Sequence, residues 1–151
     1  MTPKVLVVDD ELISLNLLKK VLELKGYSVT GARNGEQAIT ALDGGAFDLV
    51  ITDLEMGETS GLEVIEKAKR TSPEPIVIMV SGCSEEHCVI DAFRHGADDF
   101  VRKPFSITDL FDRILFQERK HSLPRTSRSF RGVKIEKVSE KFTHCKTAAF
   151  Q

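Results

Sequence analysis

Three carboxylates, a hydroxyl and an amine stand at comparable places in this sequence. Asp9 and Asp10 follow the run Lys4 to Val8, Asp53 follows Leu49-Val50-Ile51, Ser81 follows Ile76 to Val80, and Lys103 follows Asp99 to Arg102. An apolar run without polar alternation reads as a strand buried on both faces, so these polar residues would fall at strand ends. Taken alone, Asp53 reads more readily as a cap or loop aspartate. Its company argues otherwise, because carboxylates brought together repel, and the charged form of each is disfavoured unless a cation joins them. Oxygen ligands that are few and leave room for water and a phosphate oxygen suit magnesium better than a calcium cage or a zinc site. With that ion, the Lys103 amine could hold a phosphoryl group over Asp53, since a positive clamp stabilises the equatorial oxygens during in-line transfer.

The elements that would position these groups alternate. Lys4 to Val8 is a strand, and Glu11 to Lys25 a helix with Leu15, Leu18, Val21, Leu22 and Leu24 as its apolar set and Gly26 at its end. Tyr27 to Gly31 is a weaker strand. Asn34 caps a short helix to Leu42 that stops at Gly44-Gly45, and the strand into Asp53 follows. Ser60 with Glu63 has capping-box spacing, opening a helix to Arg70 with Leu62, Ile65 and Ala68 on one face. After Pro73 and Pro75, Ile76 to Val80 is the most apolar strand. A helix from Ser84, its cap, to His95 ends at Gly96, and a short strand runs from Asp99 to Arg102. The last helix opens at Ser106 with Asp109, and Ile107, Leu110, Phe111, Ile114 and Leu115 form its stripe. Short buried strands joined by helices predict an α/β, doubly wound, five-stranded parallel sheet with helices on both faces. In such a sheet the strand ends gather on one edge, where ligands bind.

Length and charge bound the rest. A chain of 151 residues suits one domain with a core plus a tail. No run approaches a membrane span, and the N-terminus is too poor in apolar residues for a signal peptide, which predicts a cytoplasmic protein. The net charge of -2 hides an asymmetry: residues 1–121 hold 14 Lys/Arg against 21 Asp/Glu, while 122–151 hold 7 against 2. The boundary near Ser122 to Ser129 has the Pro and small polar residues of a linker, so 122–151 reads as a basic linker or tail, or the start of an output region. Cys83, Cys88 and Cys145 are odd in number and lack metal spacing, so reduced thiols are expected, with Cys83 a small apolar neighbour of the site. His87 and His95 are not spaced i, i+4 and read as surface residues, and Phe116 lies outside the stripe of the last helix.

Over residues 4–120 the acidic pair, the acceptor aspartate, the hydroxyl and the Lys103-Pro104 pair resemble the receiver domain of two-component response regulators. The resemblance implies a flavodoxin-like fold with strand order 2-1-3-4-5. It implies that Asp53 accepts a phosphoryl group from a histidine kinase or histidine phosphotransfer protein. Asp9 and Asp10, with Asp53 and the backbone carbonyl of Glu55, would bind magnesium, or manganese in its place. Ser81 and Phe100 would form the switch, altering the edge built from the helix at Ser84, the strand through Phe100 and the helix at Ser106. That edge is also a homodimer face by the resemblance, and Lys103-Pro104 a cis peptide aiming the amine inward. Such a domain is a phosphoacceptor rather than an enzyme, promoting only its own phosphorylation and dephosphorylation.

The sequence departs from the family at Gly57, where Pro is usual, and carries Glu55 and Cys83 where residues often tune phosphate lifetime. Two other readings stay open. A phosphatase of the haloacid dehalogenase type also uses Asp, magnesium and Lys, but its Asp-x-Asp after the first strand is not matched by Asp9-Asp10-Glu11, and a cap domain is lacking. An adaptor that never needs phosphate is argued against by the intact acidic set. Residues 122–151 have too few periodic apolar positions for a helix-turn-helix, so direct DNA binding is not expected; Ile135 to Phe142 could form a short helix.

Overall fold

The computed structural model describes residues 2–122. The expectations for the basic tail lie outside the described residues. Strand and helix alternate throughout: β1 Lys4–Val8, α1 Leu12–Leu24, β2 Ser28–Ala32, α2 Gly35–Gly44, β3 Leu49–Asp53, α3 Gly61–Lys69, β4 Ile76–Ser81, α4 Glu86–His95, β5 Asp99–Arg102 and α5 Ile107–Ser122. All strand pairs are parallel and the sheet order is β2-β1-β3-β4-β5. The expected doubly wound architecture is therefore the one observed.

Successive strand residues point to opposite faces, and both faces are covered, which is why the central strands are apolar at almost every position. Val5, Val7, Leu49, Ile51, Ile78 and Val80 pack with Leu15, Leu18 and Leu22 of α1 and Leu110 and Ile114 of α5. On the other face Leu6, Val8, Val50, Val77, Met79 and Phe100 pack with residues of α2, α3 and α4. Burying this apolar surface drives folding, and the parallel arrangement leaves every strand's C-terminal end on one edge.

At the opposite edge a polar network ties α3 and α5 to the sheet. Asp98 Oδ2 accepts from the Lys69 amine at 2.6 Å and from the Val77 N–H at 2.8 Å, and its Oδ1 lies 3.2 Å from His121 Nε2. Burial alone would raise the Asp98 carboxyl, but His121, Lys69 and the Val77 N–H hold it down at about 2. Gln117, fully buried on α5, donates to Asp99 Oδ2 at 2.9 Å and to the Asp98 carbonyl at 3.2 Å.

Several local expectations are corrected. The N-cap of α4 is Glu85, not Ser84, and no side chain caps it. Ser60 does cap α3, as expected, by accepting from the Leu62 N–H, but the buried face of α3 also takes in Val64, while Leu62 is only half-buried. Leu24 at the end of α1 and Leu115 on α5 are exposed; the apolar stripe of each helix is narrower than its apolar composition, and Gln117 takes a core place on α5. The expectation of reduced thiols also changes: Cys83 and Cys88 are joined by a disulfide. The odd count argued against a framework, but a single local pair needs only the turn from β4 into α4 to bring its sulfurs together. Gly57 has φ +66°, a conformation closed to proline. The Lys103–Pro104 peptide is cis, as is Ser72–Pro73.

Candidate functional site

Asp9 and Asp10 leave β1, Asp53 ends β3, Ser81 ends β4 and Lys103 leaves β5, so all lie at the same edge of the sheet. Register brings them into line. Val8 pairs with Thr52, Asp53 with Val80, and Ser81 with Arg102. Backbone bonds hold the ends: the Asp9 N–H donates to the Ala32 carbonyl at 3.0 Å, and the Lys103 N–H to the Ser81 carbonyl at 2.8 Å.

The side chains then converge. Lys103 Nζ lies 2.8 Å from Asp53 Oδ2 and 3.4 Å from Asp9 Oδ2. The Glu11 N–H donates to Asp9 Oδ1 at 2.9 Å, and the Glu55 N–H to Asp53 Oδ1 at 3.3 Å. One oxygen from each of Asp9, Asp10 and Asp53 lies within 4.8 Å of the others. Asp9 is buried, Asp53 half-buried and Asp10 exposed, so the cluster opens to solvent on one side. Burial pushes the Asp9 carboxyl above its usual range and the Asp53 charge adds to this, against the pull of the Glu11 N–H and the Lys103 charge. Burial would lower the Lys103 amine, but the hydrogen bond and charge of Asp53, with the charge of Asp9, raise it.

One amine meets two of the three carboxylates, which leaves the cluster with an excess of negative charge and with oxygen donors only. That donor set, close enough for one ion to touch all three, fits a hard divalent cation of the magnesium kind.

Ser81 is fully buried, and its Oγ accepts from the Cys83 N–H at 3.0 Å. Phe100 is buried on the α2, α3 and α4 side of the sheet in the cluster that contains Met79, Ala92 and Ala97. Glu55 is joined to the site through its N–H; its side chain is exposed. The expectation that His87 and His95 lie outside the site agrees with their places on α4, where they meet Glu85 and Glu66. Gly61, which drew no attention in the sequence, matters here. It starts α3 hard against the acceptor strand, and a Cβ at that position would run into the Asp53 carbonyl. A glycine just after a capping Ser60 was the available signal.

Comparison with known proteins follows the same boundaries. The model of the response regulator receiver domain matches residues 5–115. The chain is 35% identical over 111 residues to the transcriptional regulatory protein CpxR of Escherichia coli (strain K12), covering 74% of this chain and 47% of CpxR. It is 37% identical over 111 residues to the transcriptional regulatory protein ResD of Bacillus subtilis (strain 168), covering 74% of this chain and 46% of ResD. The match thus spans about half the length of these curated relatives. Among solved structures, a CheY-like response regulator receiver domain protein from Methanospirillum hungatei JF-1 superposes with a TM-score of 0.75 at 28% identity, covering 80% of this chain and 96% of that one. No helix among the described residues is long and apolar enough to cross a membrane. From its sequence match, its strand order and its fold neighbours, the chain belongs to the response regulator receiver domain family of two-component systems.

Proposed function

We propose that Asp53 accepts a phosphoryl group from the phosphohistidine of a histidine kinase or histidine phosphotransfer protein. The observation that carries this reading is the Lys103 amine, 2.8 Å from Asp53 Oδ2 and flanked by two further carboxylates. A carboxylate oxygen of Asp53 attacks phosphorus in line, and the donor's phosphorus–nitrogen bond breaks. Lys103 moves its ammonium from the carboxylate to the phosphoryl oxygens, where charge builds up in the transition state. Asp9 and Asp10, with Asp53 and the Glu55 backbone carbonyl, would hold magnesium, or manganese in its place. When bound, that ion supplies positive charge against the phosphoryl oxygens.

In the same reading Ser81 exchanges its bond from the Cys83 N–H for one donated to the new phosphoryl group. Phe100, already buried beside Met79, Ala92 and Ala97, repacks with it, and the surface of α4, β5 and α5 changes. One phosphate can bias such a change if the two packings differ by a few kcal/mol. The altered face would signal to a partner, to a second copy or to an output region, with residues 1–121 as the receiver and 122–151 as basic linker or tail. The chain is in this reading a cytoplasmic phosphoacceptor, promoting only its own phosphorylation and dephosphorylation.

Hydroxylamine cleaves acyl phosphates and leaves a hydroxamate at the acceptor. After treatment with acetyl phosphate and magnesium, a hydroxamate at Asp53 supports the reading; one at Asp9, Asp10 or elsewhere overturns it.

A further inference from the structure

The disulfide between Cys83 and Cys88 ties the loop that leaves Ser81 to the first turn of α4. Three observations meet there. The Cys83 N–H is the group that engages the Ser81 hydroxyl. Cys83 is half-buried and within reach of solvent, whereas Cys88 is buried. His87 Nε2 lies 3.7 Å from Cys88 Sγ, while its Nδ1 lies 3.0 Å from Glu85 Oε2. The imidazole thus sits between a carboxylate and the sulfur that leaves when the disulfide is opened by a small thiol.

We propose that Cys83 and Cys88 form a thiol–disulfide modification site, oxidised by peroxide and reduced by small thiols, that gates the loop after Ser81 and so the response at Asp53. This rests on the function proposed above. With the two cysteines only five positions apart in sequence, the ring is short and its effect is local rather than on global stability. In a reducing compartment, disulfides are chiefly transient and redox-sensing.

The chemistry balances. In oxidation the Cys83 sulfur attacks peroxide and breaks its O–O bond, and the thiol proton goes to the leaving hydroxide, giving a sulfenic acid and water. The Cys88 thiol then attacks that sulfur and a second water leaves, so two thiols lose two electrons to one peroxide. In reduction a small thiolate attacks the accessible Cys83 sulfur, and Cys88 leaves as a thiolate beside His87. A second small thiol attacks the mixed disulfide and frees Cys83, so two small thiols give two electrons to the protein and leave as their own disulfide.

The consequence lies in Ser81. While the bond is closed, the loop backbone at Cys83 is held to α4 and keeps the Ser81 hydroxyl engaged. When it is open, the loop can release that hydroxyl toward Asp53.

The test uses the full chain carrying Cys145→Ser, so that the third cysteine takes no part. Brief peroxide treatment should remove two hydrogens by intact mass and block alkylation at Cys83 and Cys88, and dithiothreitol should restore both. Labelling by acetyl phosphate with magnesium should be about tenfold slower in the oxidised chain, the share of one hydrogen bond to a charged group. Cys88→Ala should label at the reduced chain's rate with or without peroxide. Thiols that stay open to alkylation after peroxide overturn the proposal, and so do equal labelling rates for the oxidised and reduced chains. Absence of label in both redox states overturns the proposed function as well, which separates the two failures.

Discussion

The Lys103 ammonium lies 2.8 Å from the Asp53 carboxylate and 3.4 Å from that of Asp9, bridging the end of β3 and the turn after β1 from a residue that follows β5. If this amine clamps the transferred group, Lys103→Gln should slow labelling by acetyl phosphate by about 100-fold at saturating magnesium, the loss seen when a preorganised donor to developing charge is removed. The observed rate constant, followed by intact mass, checks this. An unchanged rate would remove Lys103 from the chemistry.

Asp9 is buried beside two other carboxylates, and its folded carboxyl is raised above its usual range. A raised acid is less easily ionised in the folded than in the unfolded chain, so its charge costs stability as pH rises past the carboxylate range. Asp9→Asn should therefore raise the melting temperature of the metal-free protein at neutral pH. Magnesium at about a hundred times its dissociation constant should stabilise the parent by about 2.7 kcal/mol and the variant far less. Thermal melts with magnesium and with a chelator measure both effects. Equal magnesium shifts in the two proteins would count against Asp9 as a ligand.

Gly61 and Gly44 make opposite predictions for one kind of substitution. Alanine is worth up to about 1 kcal/mol over glycine inside a helix. At Gly44, near the end of α2, an added Cβ meets nothing within 4 Å, so Gly44→Ala should be neutral or stabilising. At Gly61 the Cβ meets the Asp53 carbonyl and the Leu54 backbone, which cannot yield as a side chain would. Overpacking of about 1 to 3 kcal/mol should outweigh the helix gain, and the displaced Asp53 should label more slowly. Denaturant melts and labelling rates decide; a stabilised, fully active Gly61→Ala would refute the close approach.

Asp98 sets an acid limit. Its folded carboxyl is held at about 2 against an ordinary 3.8. A depressed acid contributes stability that is present above its unfolded value and is lost as pH falls through its folded value, so the loss should run from about pH 4 down to about pH 2. The difference in pKa corresponds to about 2 kcal/mol. The slope of stability against pH in that window should flatten in Asp98→Asn, even though that variant is less stable throughout for leaving Lys69 with only the exposed Glu74 carboxylate. Urea melts at stepped pH measure the slope, and parallel curves would mean that Asp98 is not the group responsible.

Much of this was legible because apolar runs ended abruptly on polar residues. Val8 to Asp9, Ile51 to Asp53 and Val80 to Ser81 each mark a strand end, and parallel topology does the rest. What was not legible depends on partners far away in sequence or on small turns. Gln117 is polar, yet it is buried because Asp99 receives its amide from a position 18 residues earlier. Leu24 is apolar, yet it is exposed because α1 packs through Leu15, Leu18 and Leu22. The start of α4 slipped from Ser84 to Glu85 because no side chain closes that end, and a cap residue's type carries no signal when its side chain caps nothing. Cys83 and Cys88 pair across that same turn, which the cysteine count could not show. The closeness of Gly61 to Asp53 is a backbone fact with no periodic trace.

The central claim is that the Asp53 carboxylate, set beside Lys103 and the acidic pair, is the one place on this chain where phosphorus is captured. Incubation of the reduced full chain with acetyl phosphate, with magnesium and with a chelator, followed by intact mass, tests it directly. The account predicts a gain of one phosphoryl group that requires magnesium and is absent in Asp53→Asn. An unlabelled parent, or an Asp53→Asn chain labelled as fast as the parent, would contradict it.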